Sequence, residues 1–370
     1  MNMHQLFIRK LRKLIFSPGL FFRDYLNKKY PVIRNEISCP EDEEAIVINN
    51  ALRLETLFEG DFPVDVVFTW VNDKDPAWQE KYNAAKNIGV EHHGQYATDA
   101  ARFSNHNELF FSVQSVIKFL PWVRNIYIVT DDQQPGWINE FPSVKIVDHR
   151  EIIEPEFLPT FNSHVIEAHL HKIPALAEHF IYFNDDVFVA RELPKGHFFK
   201  SNGLASIFPA KKCLSEMKGR GVMTPTLNAS LSVSERLAQY FDVKIDTPLV
   251  HTYVPLRKSM FELVWEKYYA DIQLFLSNKF RTDRDLNLAT FFVPWFSYLS
   301  GKSSLENDIC YYFNVRSPVA QHYYASLKCF KYDGAPHSFC ANDFSTTKQS
   351  VENYQHALIE MLTKYYSKGN

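Results

Sequence analysis

Glycine is scarce in this chain, 12 in 370 residues, and no group of them forms a G-x-x-x-x-G-K or G-x-G-x-x-G loop. That removes the backbone phosphate cradles of P-loop and dinucleotide-binding proteins. Cysteine is equally thin. Cys39, Cys213, Cys310, Cys329 and Cys340 are odd in number, scattered and without a C-x-x-C spacing. The pattern argues against a disulfide framework or a zinc finger and for reduced thiols in a cytosolic setting. No apolar run approaches the roughly 20 residues that span a bilayer. The longest candidate, LATFFVPWFSYL (288–299), is interrupted by Pro294 and reads as a buried segment or a groove wall. A formal net charge of −3 gives no footprint for wholesale nucleic-acid binding. There is no internal repeat and no low-complexity tract.

What is present is apolar bulk. Hydrophobic residues make up 46% of the chain, with 31 Phe and 19 Tyr, enough for a substantial core and too much for global disorder. The length suits one large domain or two ordinary ones. Within the first thirty residues Met3, Leu6, Phe7, Leu11, Leu14 and Ile15 recur at helical spacing, with Arg9, Lys10, Arg12 and Lys13 between them. Seven Lys and Arg stand there against a lone Asp24. Such a segment either packs on its own domain or lies on an anionic membrane surface. PEDEE (40–44) then marks an acidic linker, so residues 1–60 read as a basic amphipathic segment and linker.

Strand-like and helical runs alternate from there. VDVVFTWV (64–71), IYIVT (126–130), SVKIVDH (143–149) and IYFNDDVFV (181–189) are rich in β-branched and aromatic residues. NELFFSVQSVIKFL (107–120) carries Leu109, Phe110, Val113, Val116, Ile117 and Leu120 at helical period, and Pro121 ends it. A further helix is expected from near Asn162 toward His179, kinked or split at Pro174. The rhythm predicts an α/β fold: a Rossmann-like, largely parallel sheet with helices on both faces, in residues 61–345. Residues of about 200–280 (SVSERLAQYF, KSMFELVWEKYYADI) predict an added helical lid, and 346–370 a C-terminal helix.

In parallel sheets ligands sit at the carboxyl ends of the strands. Three such ends carry polar clusters: Asn72-Asp73-Lys74-Asp75, Asp131-Asp132 and Asn184-Asp185-Asp186. Adjacent acids inside an apolar strand resist desolvation and repel each other. They can share a divalent cation, act as a general base with its pKa raised by a neighbour, or cap the next turn. His164, Glu167 and His171 fall at i, i+3 and i+7 of the expected helix, a possible metal face, though without the H-E-x-x-H spacing. In RTDRD (281–285), Arg281 and Arg284 either clamp phosphate or form surface ion pairs.

Taken together the segments resemble the Stealth family of hexose-1-phosphate transferases. That family includes bacterial capsular polysaccharide phosphotransferases and the catalytic subunit of the lysosomal-enzyme GlcNAc-1-phosphotransferase. VDVVFTWVNDKDPAW (64–78) resembles its first conserved block. RFSNHNELFFSVQSVIKFLPWVRNIYIVTDDQQPGWI (102–138) and LPTFNSHVIEAHLHKIPALAEHFIYFNDDVF (158–188) resemble its second. HTYVPLRKSM (251–260) and HSFCANDF (337–344) resemble the third and fourth. Asp73-Lys74 stands where a Gly-containing turn is common, and Asn105-His106 varies the usual acidic pair.

The resemblance implies a GT-A-like fold and transfer of a sugar-1-phosphate from a UDP-sugar to a hydroxyl of an oligosaccharide or polysaccharide acceptor, with release of UMP. It further implies Asp186 as base, Asn184 as orienting group, and His251 and Arg281 on the diphosphate. Asp343, with Asp185 or Asp186, would hold Mg²⁺ or Mn²⁺, and Asn342 would stand beside it. Thr69, Trp70, Asn72, Asp73 and Asp75 would line the nucleotide pocket, with Arg102, Asn107 and Glu108 contributing from the second block. Two rivals are an ordinary metal-dependent glycosyltransferase releasing UDP and a carbohydrate-binding subunit without catalysis. The expected setting is cytoplasmic, peripheral on the membrane through residues 1–30. The oligomeric state is not legible in the sequence.

Overall fold

The computed structural model describes residues 11, 14–16, 18–29, 41–86, 106–329, 335–344 and 351–366. Arg102 and the basic residues Arg9, Lys10, Arg12 and Lys13 lie outside the described residues.

The central sheet has the order β3-β2-β1-β4-β7. Its strands are β1 (Val64–Thr69), β2 (Ile126–Thr130), β3 (Val144–Asp148), β4 (His179–Asn184) and β7 (Val254–Arg257). The first four are mutually parallel, and β7 closes one edge antiparallel to β4. The 3-2-1-4 run is the order in which doubly wound α/β sheets begin. Side-chain alternation explains why these strands are so uniformly apolar. Val64, Val66, Phe68, Ile126, Ile128, Ile181 and Phe183 enter one core, whereas Val67, Tyr127, Val129, Phe180 and Tyr182 enter the other. Helix Glu108–Phe119 and the C-terminal helix Tyr354–Tyr366 pack on the first side, and helices Pro225–Phe241, Lys258–Lys267 and Tyr269–Leu276 on the second.

At the amino ends of the strands a buried charge sets the register. Asp65 is fully buried and accepts two hydrogen bonds from Arg124 (2.9 and 2.6 Å) and one from the Ala177 backbone N–H (2.7 Å). A paired and bonded carboxylate of this kind tolerates burial that a bare one does not.

The sequence reading of IYFNDDVFV as one strand is corrected. β4 ends at Asn184, the chain turns at Asp185-Asp186, and β5 (Val187–Val189) starts a different sheet. That sheet runs β5-β10-β9, with β10 (Ser338–Asn342) antiparallel to β5 and parallel to β9 (Cys310–Asn314). A third, two-stranded sheet pairs β6 (Ala205–Ile207) with β8 (Ser303–Leu305). The adjacent acids thus occupy the corner between two sheets, half-buried where the backbone leaves the ladder.

Two other expectations need adjustment, and one holds. The helix expected from Asn162 is only Ser163–Ala168, capped by the Asn162 side chain, followed by a 3-10 turn at Leu170–Lys172. Residues 200–280 do contain long helices, yet they also supply β6 and β7, so they are woven into the sheets. LATFFVPWFSYL is a buried helical segment, with Pro294 tolerated at the first turn of helix Val293–Leu299. Among the described residues no helix is long and apolar enough to cross a membrane.

Candidate active site

Parallel pairing brings the ends of β1 and β4 side by side, Thr69 opposite Asn184. Tyr182 joins them: its hydroxyl donates to Asn184 Oδ1 (2.9 Å) and lies 3.0 Å from Thr69 Oγ1. Beyond Asn184 the turn delivers Asp186 to the edge of β10, where the Asp186 carbonyl accepts the Ala341 N–H (3.0 Å). One oxygen of the Asp186 carboxylate is clamped. Oδ2 accepts from Asn342 Nδ2 (3.0 Å) and from the Cys340 thiol (3.3 Å). Oδ1 is buried and has no partner.

His251 completes the group. A ring nitrogen of His251, Cys340 Sγ and an Asp186 oxygen all lie within 4.8 Å of one another. Part of the His251 ring is solvent-accessible, but surrounding protein strips enough hydration to hold its pKa below the ordinary value, against the pull of Asp186. In its neutral form the imidazole has one N–H to donate. Burial likewise pushes the Cys340 thiol up, with Asp186 adding to the effect, so it stays protonated and acts as a donor.

A third carboxylate faces this corner. Glu108, the first residue of its helix, is buried and accepts the His106 N–H (2.5 Å). Burial and the charges of Asp185 and Asp186 raise it well above the usual carboxylate range. Asp185 is pushed up to about 7 by burial and by Asp186. Asp186 Oδ1 remains an unpartnered buried carboxylate oxygen beside these two acids, and Asp186, His251 and Cys340 are the ligand-type side chains that lie closest together at this corner.

Other expected residues are placed differently. Asp343 does not offer a free carboxylate: Arg316 grips it through two nitrogens, His106 Nε2 lies 2.9 Å away and the Tyr354 hydroxyl 3.3 Å away. Burial would raise its pKa, but the bonds from His106 and Arg316 outweigh that and hold it low. As placed, Asp343 supports Arg316 and His106.

Asp75 caps helix Pro76–Lys86, accepting the Ala77 N–H (2.9 Å), and Gln133 ties it to the Asn72 backbone. Its carboxylate is thereby spent on the turn. Asp73 offers its backbone carbonyl to Gln79 (2.9 Å). Trp70, at the end of β1, keeps a buried indole N–H without a protein partner, a donor left for a ligand. Asn107 adopts a left-handed conformation (φ 66°) just before the Glu108 helix.

Arg281 belongs to a second polar group. It donates to Ser163 and to Thr226 (3.2 Å). The turn that presents it is folded by Asp285, which receives bonds from Asn162, His164, Asn278 and Thr282. Burial raises Asp285, but His164 and the other donors outweigh it, and the carboxylate is held low. His164 is occupied by Asp285 and Thr226, and His171 stacks on Phe261, so the His164–Glu167–His171 face does not assemble a metal site.

Sequence reasoning missed Cys340, Tyr182, Gln133, His106 and Arg316. Only Cys340 carried a local signal, a thiol two residues before Asn342. The others act through contacts distant in sequence.

Residues 62–90 match Stealth protein conserved region 1, and residues 102–207 match Stealth protein conserved region 2. The chain is 58% identical over 363 residues to the capsular polysaccharide phosphotransferase LcbA of Aeromonas hydrophila, covering 98% of this chain and 100% of that one. It is 54% identical over 348 residues to the capsular polysaccharide phosphotransferase fcs1 of Haemophilus influenzae, covering 92% and 95%. Among solved structures, a galactosyltransferase LgtC with donor and acceptor sugar analogues aligns at 11% identity and TM-score 0.33, covering 82% and 95%. That likeness is too slight to argue from, and the fold rests on the strand order.

Proposed function

The chain belongs to the Stealth family of capsular polysaccharide phosphotransferases, and from that membership we propose that it moves a hexose-1-phosphate from a UDP-sugar to a sugar hydroxyl. The donated group in this reading is an N-acetylhexosamine-1-phosphate, the product is a phosphodiester of a capsular polysaccharide, and UMP leaves. The observation that carries the reading is the Asp186 carboxylate, clamped at Oδ2 and open at Oδ1, beside His251.

The chemistry is attack of a hydroxyl on the β-phosphorus. It needs a proton acceptor at the hydroxyl, donors around the non-bridging oxygens and a held leaving group. Asp186 Oδ1 takes the hydroxyl proton, while Asn342 and Cys340 fix the carboxylate plane. Asn184, held by Tyr182, orients the reacting sugar. His251 donates its single N–H to a phosphoryl oxygen, and Arg281, held by Ser163 and Thr226, supplies positive charge to the diphosphate. Thr69, Trp70, Asn72 and Asp73 line the nucleotide side. Asp185 and Glu108 would hold Mg²⁺ or Mn²⁺, which when bound neutralises diphosphate charge and polarises the phosphoryl group.

Incubation of the protein with UDP-sugar, acceptor and Mg²⁺ should release UMP, with the transferred phosphorus appearing as a phosphodiester by NMR. Release of UDP, with an unphosphorylated glycoside as product, would replace this reading by an ordinary glycosyl transfer.

We further place the enzyme at the cytoplasmic membrane surface. In the described part of residues 1–30, Ile15, Phe16, Phe22, Tyr25 and Leu26 are exposed, in a sequence with seven Lys and Arg to one Asp. Apolar contact and cationic attraction act together on an anionic bilayer. The full chain should sediment with phosphatidylglycerol vesicles at low salt, and a chain lacking residues 1–30 should stay in the supernatant. Equal sedimentation of both would remove the docking role.

A further inference from the structure

A second buried polar cluster adjoins the Asp186–His251 pair, centred on Asp308. Its Oδ1 accepts from the Tyr253 hydroxyl (2.8 Å), and His197 Nε2 (3.0 Å) and His337 Nδ1 (2.9 Å) point at the same oxygen. Asp308 Oδ2 faces the Ser338 hydroxyl (3.4 Å), which lies 2.6 Å from Thr252 Oγ1. All of these residues are buried. His197, Asp308 and His337 have the composition of a metal triad. As placed, both ring nitrogens stand at hydrogen-bond distance from one carboxylate oxygen, 3.0 and 2.9 Å. The cluster is a hydrogen-bonded hub.

The hub joins the segments that build the catalytic pair. Thr252 and Tyr253 directly follow His251. His337 and Ser338 enter β10 ahead of Cys340 and Asn342, the two residues that clamp Asp186. Asp308 itself lies just before β9, whose Cys310 thiol donates to the His251 carbonyl (3.4 Å). A side chain that binds both neighbouring segments fixes where each can sit. The chemistry is consistent with this. Burial would raise the Asp308 carboxyl, but His197 and His337 outweigh it and keep the group ionised as an acceptor, while burial keeps the Tyr253 hydroxyl protonated as a donor.

We propose that Asp308 is a positioning residue for phosphoryl transfer: by drawing Tyr253 and the start of β10 onto one carboxylate, it sets His251 at its working distance from Asp186. The inference rests on the reading of His251 and Asp186 as a catalytic pair. Asp308 touches no substrate in this account and acts only through the residues it holds. Misplacement of a reacting group by about 1 Å can cost on the order of 100-fold in rate, so a hub of this kind is visible in turnover before it is visible in folding.

The test compares Tyr253→Phe, which deletes one hydroxyl and keeps the ring, with Asp308→Asn and His251→Gln, all in the full-length protein with UDP-sugar donor and Mg²⁺. Tyr253→Phe should lower kcat by about 10-fold or more, leave donor KM within about 2-fold and keep the thermal midpoint within a few degrees. Asp308→Asn should lower kcat further. A kcat for Tyr253→Phe within about 2-fold of the parent overturns the inference, and so does a loss that merely tracks the unfolded fraction. His251→Gln separates the two levels of the argument. If it abolishes transfer while Tyr253→Phe is fully active, the hub falls and the catalytic reading stands; if it is fully active, the catalytic reading itself falls.

Discussion

Asp186→Asn should lower single-turnover phosphoryl transfer by about 1,000-fold while the protein stays folded and still binds donor. The side chain keeps its shape. An amide oxygen can accept the bonds from Asn342 Nδ2 and the Cys340 thiol that Asp186 Oδ2 accepts now, leaving an NH₂ where Oδ1 stood. What disappears is the open oxygen able to take a proton, and with it one negative charge from a corner shared with Asp185 and Glu108. Two effects oppose: a like-charge contact is removed, while the new NH₂ stands without a partner where Oδ1 is buried, so the thermal midpoint should stay within a few degrees of the parent. Rapid-quench release of nucleotide, donor affinity and thermal unfolding, measured on the same preparation, give the three readings. Near-normal transfer by the variant would take Asp186 out of the mechanism. A loss of donor binding without loss of the chemical step would make it a binding residue.

The sequence disclosed the parts of the molecule whose pattern is local. β1, β2, β3 and helix Glu108–Phe119 fall almost on the runs read from periodicity, because continuous β-branched and aromatic residues or an i, i+3, i+4 stripe need no distant partner to be recognised. IYFNDDVFV was legible as strand and wrong as one strand. Nothing in nine residues says that the acids fall at a corner between two sheets, since that depends on β10 arriving from more than 150 residues away, as the bond from Asn342 to Asp186 shows. The failed helix after Asn162 has the same origin: residues that suit a helix are consumed by caps and by contacts to Asp285.

The site divides in the same way. Asn184, Asp185 and Asp186 stood out because acids in an apolar strand are costly, a signal of composition alone. Asp343 stood out equally, yet its carboxylate is matched by Arg316 and His106, and neither pairing is visible in sequence. Asp75 reads as a candidate ligand and serves as a helix cap, a use that the following Pro76 does hint at. Cys340 shows the reverse. A lone thiol carries little meaning in sequence, and only the register of β10 against β5 puts it on the carboxylate that matters.

Chelation of divalent cations should reduce transfer to below about 1% of its value, and Mg²⁺ or Mn²⁺ should restore it, as expected where an ion carries charge stabilisation worth several kcal/mol. The argument starts from repulsion. Two carboxylates about 5 Å apart interact unfavourably by about 3 kcal/mol at an effective dielectric of 20. Glu108, Asp185 and Asp186 feel one another's charge, and burial together with that charge raises the first two. A bound cation would relieve that repulsion, and Glu108 and Asp185 are its proposed ligands. Activity alone does not distinguish a structural ion from one bound with the donor, so a second variant is needed. Glu108→Gln retains the helix start but removes one charge. In metal-free protein it should leave the thermal midpoint within a few degrees, because burial already favours the uncharged form of Glu108. In titration calorimetry it should weaken Mn²⁺ binding by about 10-fold or more, because a ligand is lost. A variant that binds Mn²⁺ as the parent does would take Glu108 out of the ion site. Full activity in the presence of chelator would remove the ion from the reaction and leave Arg281 and His251 to carry the diphosphate charge.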